Sequence, residues 1–383
     1  MKSDNIFEKF ENWDKLIQDC QNIDDLTQIE KEKVKHALEF LRVEFGESFL
    51  HEASKNYHQL FYTYLINQSA WTYKWIIRFA ESLQAVKNSE NYSSLVKRLI
   101  VSTKFGEGLS VLEAAIKFIN AGFEIIFDQK VQVFKAMKEP DLKIIDCKTK
   151  EELYVEVKIL EPSKKQQEMN FTFTAISNLV IGSYGLMHSM GRVHKALAPK
   201  HLSDILKKIE ETIESVKREN SFHELVEEDI IEIAFAPDSD IEILKNWASE
   251  RGINATLLGL PINNNEIARI RVAIEKEQRQ LPRETPSIII IKDPNLLFNL
   301  KDVKQTINEL EEVVYQYPYL LAVVITWGYI NVQEEEDEIV KKGQHEYHKK
   351  CRDFEVEQTI FLFNKYFELN LSSSTREKIK AIF

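Results

Sequence analysis

Residues 139–160, EPDLKIIDCKTKEELYVEVKIL, contain two runs of alternating side chains on either side of a short polar segment. This pattern predicts a β-hairpin whose polar loop joins Asp146 to Glu151. Paired residues of a hairpin share one face of the sheet, so this register places Asp141 opposite Glu156. A shift of one residue would move these two carboxylates to opposite faces, and the register therefore decides whether they meet.

The alternation divides the hairpin into an apolar face and a charged face. The apolar face is predicted to point into a core and consists of Leu142, Ile144, Leu153, Val155, Val157 and Ile159. The charged face consists of Asp141, Lys143, Ile145, Tyr154, Glu156 and Lys158. Two carboxylates at close range repel each other, and one takes up a proton unless a cation lies between them. A hard divalent ion such as Mg²⁺ would supply that charge and would link the site to a phosphate.

The pattern Pro140-Asp141 followed by Glu156-Val157-Lys158 resembles the PD-(D/E)xK signature of the restriction-endonuclease-like nuclease superfamily. The resemblance implies that Asp141 and Glu156 hold Mg²⁺ or Mn²⁺. It also implies that the Val157 carbonyl completes the metal site and that Lys158 positions or activates the attacking water. The implied reaction is hydrolysis of a phosphodiester, with DNA favoured over RNA as the nucleic-acid partner. The implied setting is bacterial restriction or anti-phage defence.

The segment before the hairpin extends the resemblance to residues 105–160. A helix is predicted with Ser110 as its N-cap and Gly122 at its end, where a left-handed backbone suits glycine. Strands are predicted over residues 123–127 and 131–134. A helix, a strand, the Asp strand and the Glu-x-Lys strand follow one another as in the first part of the family's core.

Glu113 has two alternative roles. The resemblance implies that the first helix contributes a further acidic residue to the site, and Glu113 occupies the matching position. Alternatively, Ser110 and Glu113 form a capping box, in which the glutamate carboxylate bonds back to the N-cap amide. Their spacing fits both roles, so both stay open.

The predicted fold is α/β (α+β), a restriction-endonuclease-like mixed sheet flanked by helices. An N-terminal all-helical domain is expected over residues 1–99 and the nuclease-like core over 100–221. Residues 222–331 are predicted as an α/β extension of the sheet or a separate small domain, and residues 332–383 as a C-terminal helical tail. In the third region, continuous apolar strand-like runs begin at Ile230, Ala255, Ser287 and Leu320. Such runs are typical of parallel strands covered by helices.

Basic residues after the hairpin are candidates for contact with nucleic acid. Lys164 and Lys165 fall in a predicted polar loop that leaves the Glu-x-Lys strand, and Arg192 and Lys195 lie in a short basic patch. Loops at this position are well placed to touch a phosphate backbone. Ordinary solvated surface is the alternative for both groups.

Aromatic residues are frequent in the N-terminal region, namely Tyr57, Phe61, Tyr62, Tyr64, Trp71, Tyr73 and Trp75. Exposed rings of this kind stack on nucleobases. Their helical spacing is also typical of core packing, which we favour because no basic run is interleaved with them.

The chain of 383 residues carries a net charge of −11, which argues against indiscriminate coating of nucleic acid but allows a local basic groove. Three widely spaced cysteines and an acidic N-terminus without a signal-peptide pattern predict a cytoplasmic protein. Residues 171–190 are the most span-like segment, yet they contain several polar side chains. They are predicted to form buried helix, and no membrane partner is expected.

Two other functions compete with the nuclease hypothesis. A catalytically inactive relative would keep the fold and bind nucleic acid or a nucleotide. Alternatively, Asp141, Glu156 and Lys158 would form a cross-strand salt-bridge ladder in a structural or interaction protein. In any of these proteins the flanking regions would serve recognition, control or assembly into a homo-oligomer.

Overall fold

The computed structural model describes residues 10–67, 69–160, 164–183, 185–259, 266–292, 300–330, 338–342, 345–352 and 355–382. The chain divides into two compact units, one made of Met1–Leu160 with Glu266–Phe383 and the other of Glu161–Asn265. The second unit is therefore an insertion in the first. The predicted boundaries at residues 99 and 221 do not coincide with this division, and the region predicted as one nuclease-like core is split after Leu160.

The helices are α1 (Trp13–Asp19), α2 (Gln28–Phe45), α3 (Phe49–Lys55), α4 (Ala70–Val86), α5 (Tyr92–Leu99), α6 (Phe105–Asn120), α7 (Lys164–Gly182), α8 (Pro199–Glu219), α9 (Ile241–Glu250), α10 (Glu266–Glu277), α11 (Leu300–Val314) and α12 (Ser373–Ile382). A π-helical turn, Leu60–Leu65, precedes α4. Within the described ranges, no helix has both the length and the apolar character needed to cross a bilayer.

The strands are β1 (Phe123–Phe127), β2 (Val131–Val133), β3 (Ala136–Lys138), β4 (Leu142–Asp146), β5 (Glu152–Ile159), β6 (His188–Val193), β7 (His223–Glu227), β8 (Ile231–Ala236), β9 (Ser287–Lys292), β10 (Leu320–Ile330), β11 (Glu338–Lys342), β12 (His345–Arg352) and β13 (Glu355–Phe363). An eight-stranded mixed sheet in the first unit has the order β1-β4-β5-β9-β10-β13-β12-β11. Strand β9 is parallel to both of its neighbours, β5 and β10, and the other pairs in this sheet are antiparallel.

The predicted hairpin register is confirmed. Strands β4 and β5 pair with Leu142 opposite Val155, and the Asp146 N–H donates to the Glu151 carbonyl at 2.9 Å. The predicted helix end is also confirmed, because Gly122 follows α6 with φ of +83°. Strand β1 has the predicted bounds, whereas β2 ends one residue earlier than expected.

The sheet is buried on both faces. One face carries the hairpin's apolar set and packs against the N-terminal helices, so the helical region predicted as a separate domain shares a core with the sheet. The opposite face buries Tyr154 and Leu160 with Ile289, beneath helices α10 and α11. The charged face of the hairpin is thus partly covered by helix, because β5 is an interior strand of a wide sheet.

The C-terminal helical tail predicted for residues 332–383 is wrong for most of its described part. This region forms β11, β12 and β13 before the single helix α12. Strand β13 lies between β10 and β12 and buries Phe361 on one face and Leu362 on the other. A short continuous apolar run of this kind does not distinguish a buried strand from a buried helix by its period.

The second unit has its own core and a three-stranded antiparallel sheet of order β6-β8-β7, flanked by α7, α8 and α9. The apolar runs of the third predicted region are divided between the two sheets: β8 lies here, whereas β9 and β10 extend the large sheet. The run beginning at Ala255 forms only an isolated bridge at Leu258. Residues 171–190 form the end of α7 and the start of β6, so they are only partly helical.

Candidate functional site

The predicted carboxylates lie where β4 begins and the C-terminal half of β5 runs beside it. The observed pairing of Leu142 with Val155 carries Asp141 to the position opposite Glu156. The C-terminal ends of β5, β9 and β10 point the same way because these strands are parallel. Polar side chains collected at that end of a sheet are in the usual place for a ligand site in an α/β protein.

Asp141 is buried, and each of its carboxylate oxygens accepts a hydrogen bond from a neighbouring donor. Its Oδ1 accepts from the Arg98 guanidinium at 2.5 Å, and its Oδ2 accepts from the Val157 N–H at 2.8 Å. Burial raises the pKa of Asp141 to about 6, although Arg98 and the Val157 N–H both act to lower it. The Asp141 carboxyl is therefore mainly ionised at neutral pH and has a cationic partner within the protein.

Arg98 comes from α5 and connects three carboxylates. Besides Asp141, it contacts Asp128 at 2.5 Å and Glu107 at 3.4 Å. Asp128 follows β1, and Glu107 lies in the first turn of α6. The guanidinium thus supplies positive charge at the position where the resemblance implies a divalent ion.

Glu156 differs from Asp141 because its carboxyl lacks a full set of partners. Its Oε2 is buried and accepts no hydrogen bond from the residues that the structure describes. Burial, and next the nearby charges of Asp141 and Glu277, raise the pKa of Glu156 well above its usual range. The carboxyl therefore keeps its proton to a higher pH than an ordinary glutamate does, unless a cation compensates its charge.

Lys158 lies two residues beyond Glu156 and therefore on the same face of β5. Its Nζ is 3.7 Å from Oε1 of Glu277, a buried residue at the end of α10. Glu277 thus links the predicted lysine to Glu156, whose pKa it also raises. Sequence spacing could not reveal this contact, because α10 follows the inserted second unit.

Glu113 does not lie in a capping box. Helix α6 begins at Phe105, so Ser110 is inside the helix and cannot be its N-cap. The Glu113 carboxylate instead forms an ion pair with Lys292 at the end of β9. Its described partner is therefore a lysine of the neighbouring strand, and Glu107 is the α6 residue that belongs to the Asp141 cluster.

The predicted nucleic-acid contacts lie in the second unit. Lys164 and Lys165 open α7 rather than a loop, and their side chains fall outside the described part of the structure. Arg192 lies in β6 and donates to the carbonyl of Gly252 at 2.7 Å. Lys195 is exposed after the end of β6. The structure therefore leaves the phosphate-binding role of these four residues as a prediction.

The donor types at the predicted metal site fit a hard cation. Glu156 offers a buried oxygen without a hydrogen-bond partner, and the Asp141 oxygens each have a further lone pair. The Val157 carbonyl is the third oxygen in the predicted set. Across the described ranges, however, no three His, Cys, Asp or Glu side chains are arranged as a ready metal centre. Arg98 already donates to Oδ1 of Asp141, so a cation at this carboxylate would share it with the guanidinium or displace that contact.

Comparison of the chain with family models, with curated proteins and with solved structures found no match. The fold and the site together define an α/β protein with a mixed sheet and a buried cluster of acidic and basic side chains.

Proposed function

We propose that the protein is a metal-dependent nuclease that hydrolyses phosphodiester bonds, with DNA as the expected substrate. The observation that carries the proposal is the buried, incompletely bonded carboxyl of Glu156 in register with Asp141. A buried carboxyl oxygen without a hydrogen-bond partner is unfavourable for stability, and buried groups of this kind are frequent at ligand and catalytic sites. The order of α6, β1, β4 and β5 also agrees with the restriction-endonuclease-like core that the sequence resemblance implies.

In this proposal Asp141, Glu156 and the Val157 carbonyl would hold Mg²⁺ or Mn²⁺. The ion, when bound, supplies positive charge that acidifies water and offsets the charge developing on the phosphate. Burial raises the pKa of Glu156, and a metal ion binds the ionised carboxylate, so metal affinity should increase with pH. Lys158 lies on the same strand face and would donate to the phosphate or orient the attacking water. Glu277 limits where its ammonium group can go.

The biological setting that we propose is bacterial restriction or anti-phage defence in the cytoplasm. The inserted second unit, with Arg192 and Lys195, would then serve nucleic-acid recognition, control or assembly into a homo-oligomer. This part of the proposal rests on the resemblance of the hairpin motif alone.

The direct test is cleavage of plasmid, linear and single-stranded DNA, and of RNA, in Mg²⁺ or Mn²⁺ and in EDTA. We expect metal-dependent cleavage by the wild type and its loss in Asp141→Asn and Glu156→Gln. Lys158→Met should reduce the rate by about 10²–10⁴-fold, the usual contribution of a positioned proton donor or acceptor. The matched control is Lys143→Met. Lys143 lies on the same face of the sheet and forms an ion pair with Glu152 at 2.8 Å.

Thermal unfolding in a Mg²⁺ or Mn²⁺ titration separates the proposal from its two rivals. A ligand that binds the folded state raises stability with its concentration, so the wild type should be stabilised and Glu156→Gln should not. Metal binding without cleavage of any substrate would favour a catalytically inactive binding module. Absence of both cleavage and metal-dependent stabilisation would mean that Arg98, Asp141 and Glu156 form a structural cluster, and the nuclease proposal would fail.

A further inference from the structure

A cleft of about 590 Å³ opens between helices α4 and α6 and the end of the large sheet. Three basic and two acidic side chains line it, so its lining has a net charge of +1, whereas the whole chain has −11. These charged residues are Arg78, Lys117, Lys292, Glu113 and Glu357. The cleft is half open to solvent and has the volume of a ligand site. Four of its charged side chains form ion pairs, Lys117 with Glu357 and Lys292 with Glu113.

We call this the aromatic cleft and define it by Tyr64, Trp71, Trp75 and Arg78. The rings of Tyr64, Trp71 and Trp75 form a contiguous series along one wall. Tyr64 stacks on Trp75 with ring centroids 3.6 Å apart and planes inclined by 12°. Trp71 meets the Tyr64 ring edge-on at 6.2 Å. Trp71 is 45% exposed, whereas Phe79 at the other end of the series is buried. The series of rings therefore begins in the core at Phe79 and ends at the half-exposed ring of Trp71.

The aromatic residues of the N-terminal region therefore do not all have one role. Phe61 and Tyr73 are buried in the core, which agrees with the packing role favoured from the sequence. Trp71, in contrast, is only partly packed and lines the cleft. A half-exposed tryptophan ring in a cleft that an arginine also lines is suited to stacking a planar, negatively charged ligand.

The charges of the cleft are placed beside the rings. Arg78 is exposed on α4, three residues after Trp75 and therefore on a neighbouring part of the same helix face. Across the cleft, Lys117 on α6 pairs with Glu357 on β13, and the Thr326 hydroxyl also bonds Glu357 at 3.2 Å. A ring-stacked base would thus have a cation on one side and polar side chains on the other.

We propose that the aromatic cleft binds a nucleobase together with its adjacent phosphate, the base against Trp71 and the phosphate at Arg78. The ligand could be a free nucleotide or a single-stranded segment of nucleic acid, since both present this chemistry. Duplex bases are excluded because their faces are already stacked. Val157 also lines the cleft, and its N–H donates to Asp141. The side chains of Glu156 and Lys158 lie on the opposite face of β5 from that of Val157. The proposal itself does not require nuclease activity.

Binding is tested in EDTA, where a metal-dependent nuclease is silent. Fluorescein-labelled single-stranded DNA and RNA oligonucleotides are titrated with the full chain and followed by anisotropy, with unlabelled AMP as competitor and a blunt duplex as comparison. Trp71→Ala should weaken binding by about 5- to 100-fold, because base stacking of this kind is lost. Tyr57→Ala is the control, since Tyr57 is 80% exposed and lies outside the cleft lining.

A second variant tests the phosphate contact. Arg78→Gln should weaken binding and reduce the slope of log affinity against log salt by about 0.7, the value for one phosphate contact to a single strand. Both variants must first show the wild-type unfolding temperature. Competition by AMP would identify a nucleotide site, and binding of oligonucleotides without AMP competition would identify a strand site; both outcomes support the proposal.

Three outcomes would overturn the proposal. They are no binding of any single-stranded probe or AMP up to millimolar concentration, binding of the duplex alone, and binding that is equal in the wild type and Trp71→Ala. Failure here is distinct from failure of the proposed nuclease function. Oligonucleotide binding in EDTA without any cleavage would support the cleft proposal and reject the nuclease proposal. Metal-dependent cleavage without oligonucleotide binding in EDTA would do the opposite.

Discussion

Replacing Arg98 with Met removes the cation of the buried cluster while keeping much of the side-chain volume. Asp141 would lose the guanidinium at 2.5 Å and keep only the Val157 N–H at 2.8 Å. Asp128 and Glu107 would also lose a partner, but their carboxylates are partly exposed and can be hydrated. The destabilisation should therefore come mainly from Asp141, whose carboxylate is largely shielded from water.

The size of the effect follows from the pKa of Asp141, which rises from an ordinary value of 3.8 to about 6 in the folded protein. A carboxyl with a raised pKa binds its proton more tightly in the folded state, so wild-type stability falls as pH increases from about 4 to 6 and then levels off. Without Arg98 the pKa of Asp141 rises further. The free energy of unfolding of Arg98→Met then continues to fall above pH 6, by about 1.4 kcal/mol for each pH unit.

We therefore expect Arg98→Met to lose about 1–2 kcal/mol near pH 5, where lost hydrogen bonds dominate. At pH 8 the loss should reach about 3–5 kcal/mol, the usual cost of breaking a buried ion pair. Urea unfolding at pH 5, 6, 7 and 8 measures both values. A Trp247→Phe background lets fluorescence report the first unit alone, since the other four tryptophans lie there.

The matched control is Lys97→Met, which removes an exposed positive charge from the adjacent position of α5. Its effect on the free energy of unfolding should be small at every pH, because exposed charges contribute little. An Arg98→Met deficit that is the same at pH 5 and pH 8 would refute the electrostatic reasoning. The contribution of Arg98 would then be one of packing.

Three other perturbations have distinct expected outcomes. Glu156→Gln should stabilise the metal-free protein at pH 8 and have almost no effect near pH 4, because the raised pKa of Glu156 makes its ionisation unfavourable in the folded state. Equal urea midpoint shifts at both pH values would contradict this. Lys378→Met should lower the free energy of unfolding by about 3 kcal/mol and expose α12 to proteases, since Lys378 contacts both oxygens of buried Asp146 at 2.8 Å. Unchanged proteolysis would show that apolar contacts alone hold α12 in place. Gly191→Ala should destabilise the second unit by about 1–3 kcal/mol, because its Cβ would lie 2.8 Å from a backbone carbonyl oxygen of the adjacent strand. The part of the urea-induced fluorescence change that a Trp247→Phe background removes measures this loss, and Gly182→Ala, whose Cβ would meet nothing within 4 Å, is the control.

Local patterns predicted much of the first unit correctly. Period-two alternation specified the pairing of β4 with β5, because a slip of one residue would have buried Lys143 and exposed Ile144. Helical spacing of apolar residues, with almost no glycine or proline, predicted the helical character of the N-terminal region. Predictions failed where a pattern had two physical solutions. The apolar run of β13 suited helix or strand, and the Ser110-to-Glu113 spacing suited a cap that the longer helix α6 made unnecessary.

The sequence by itself determined that Asp141, Glu156 and Lys158 come from neighbouring strands at one end of a hairpin, since this depends only on alternation and register. Only the tertiary structure decided their electrostatic state. Arg98 arrives from α5 and Glu277 from α10, which follows the inserted second unit, and the burial of Glu156 depends on the width of the sheet and the helices over it. Charge interactions depend on distance and desolvation in space, and neither is encoded by separation along the chain.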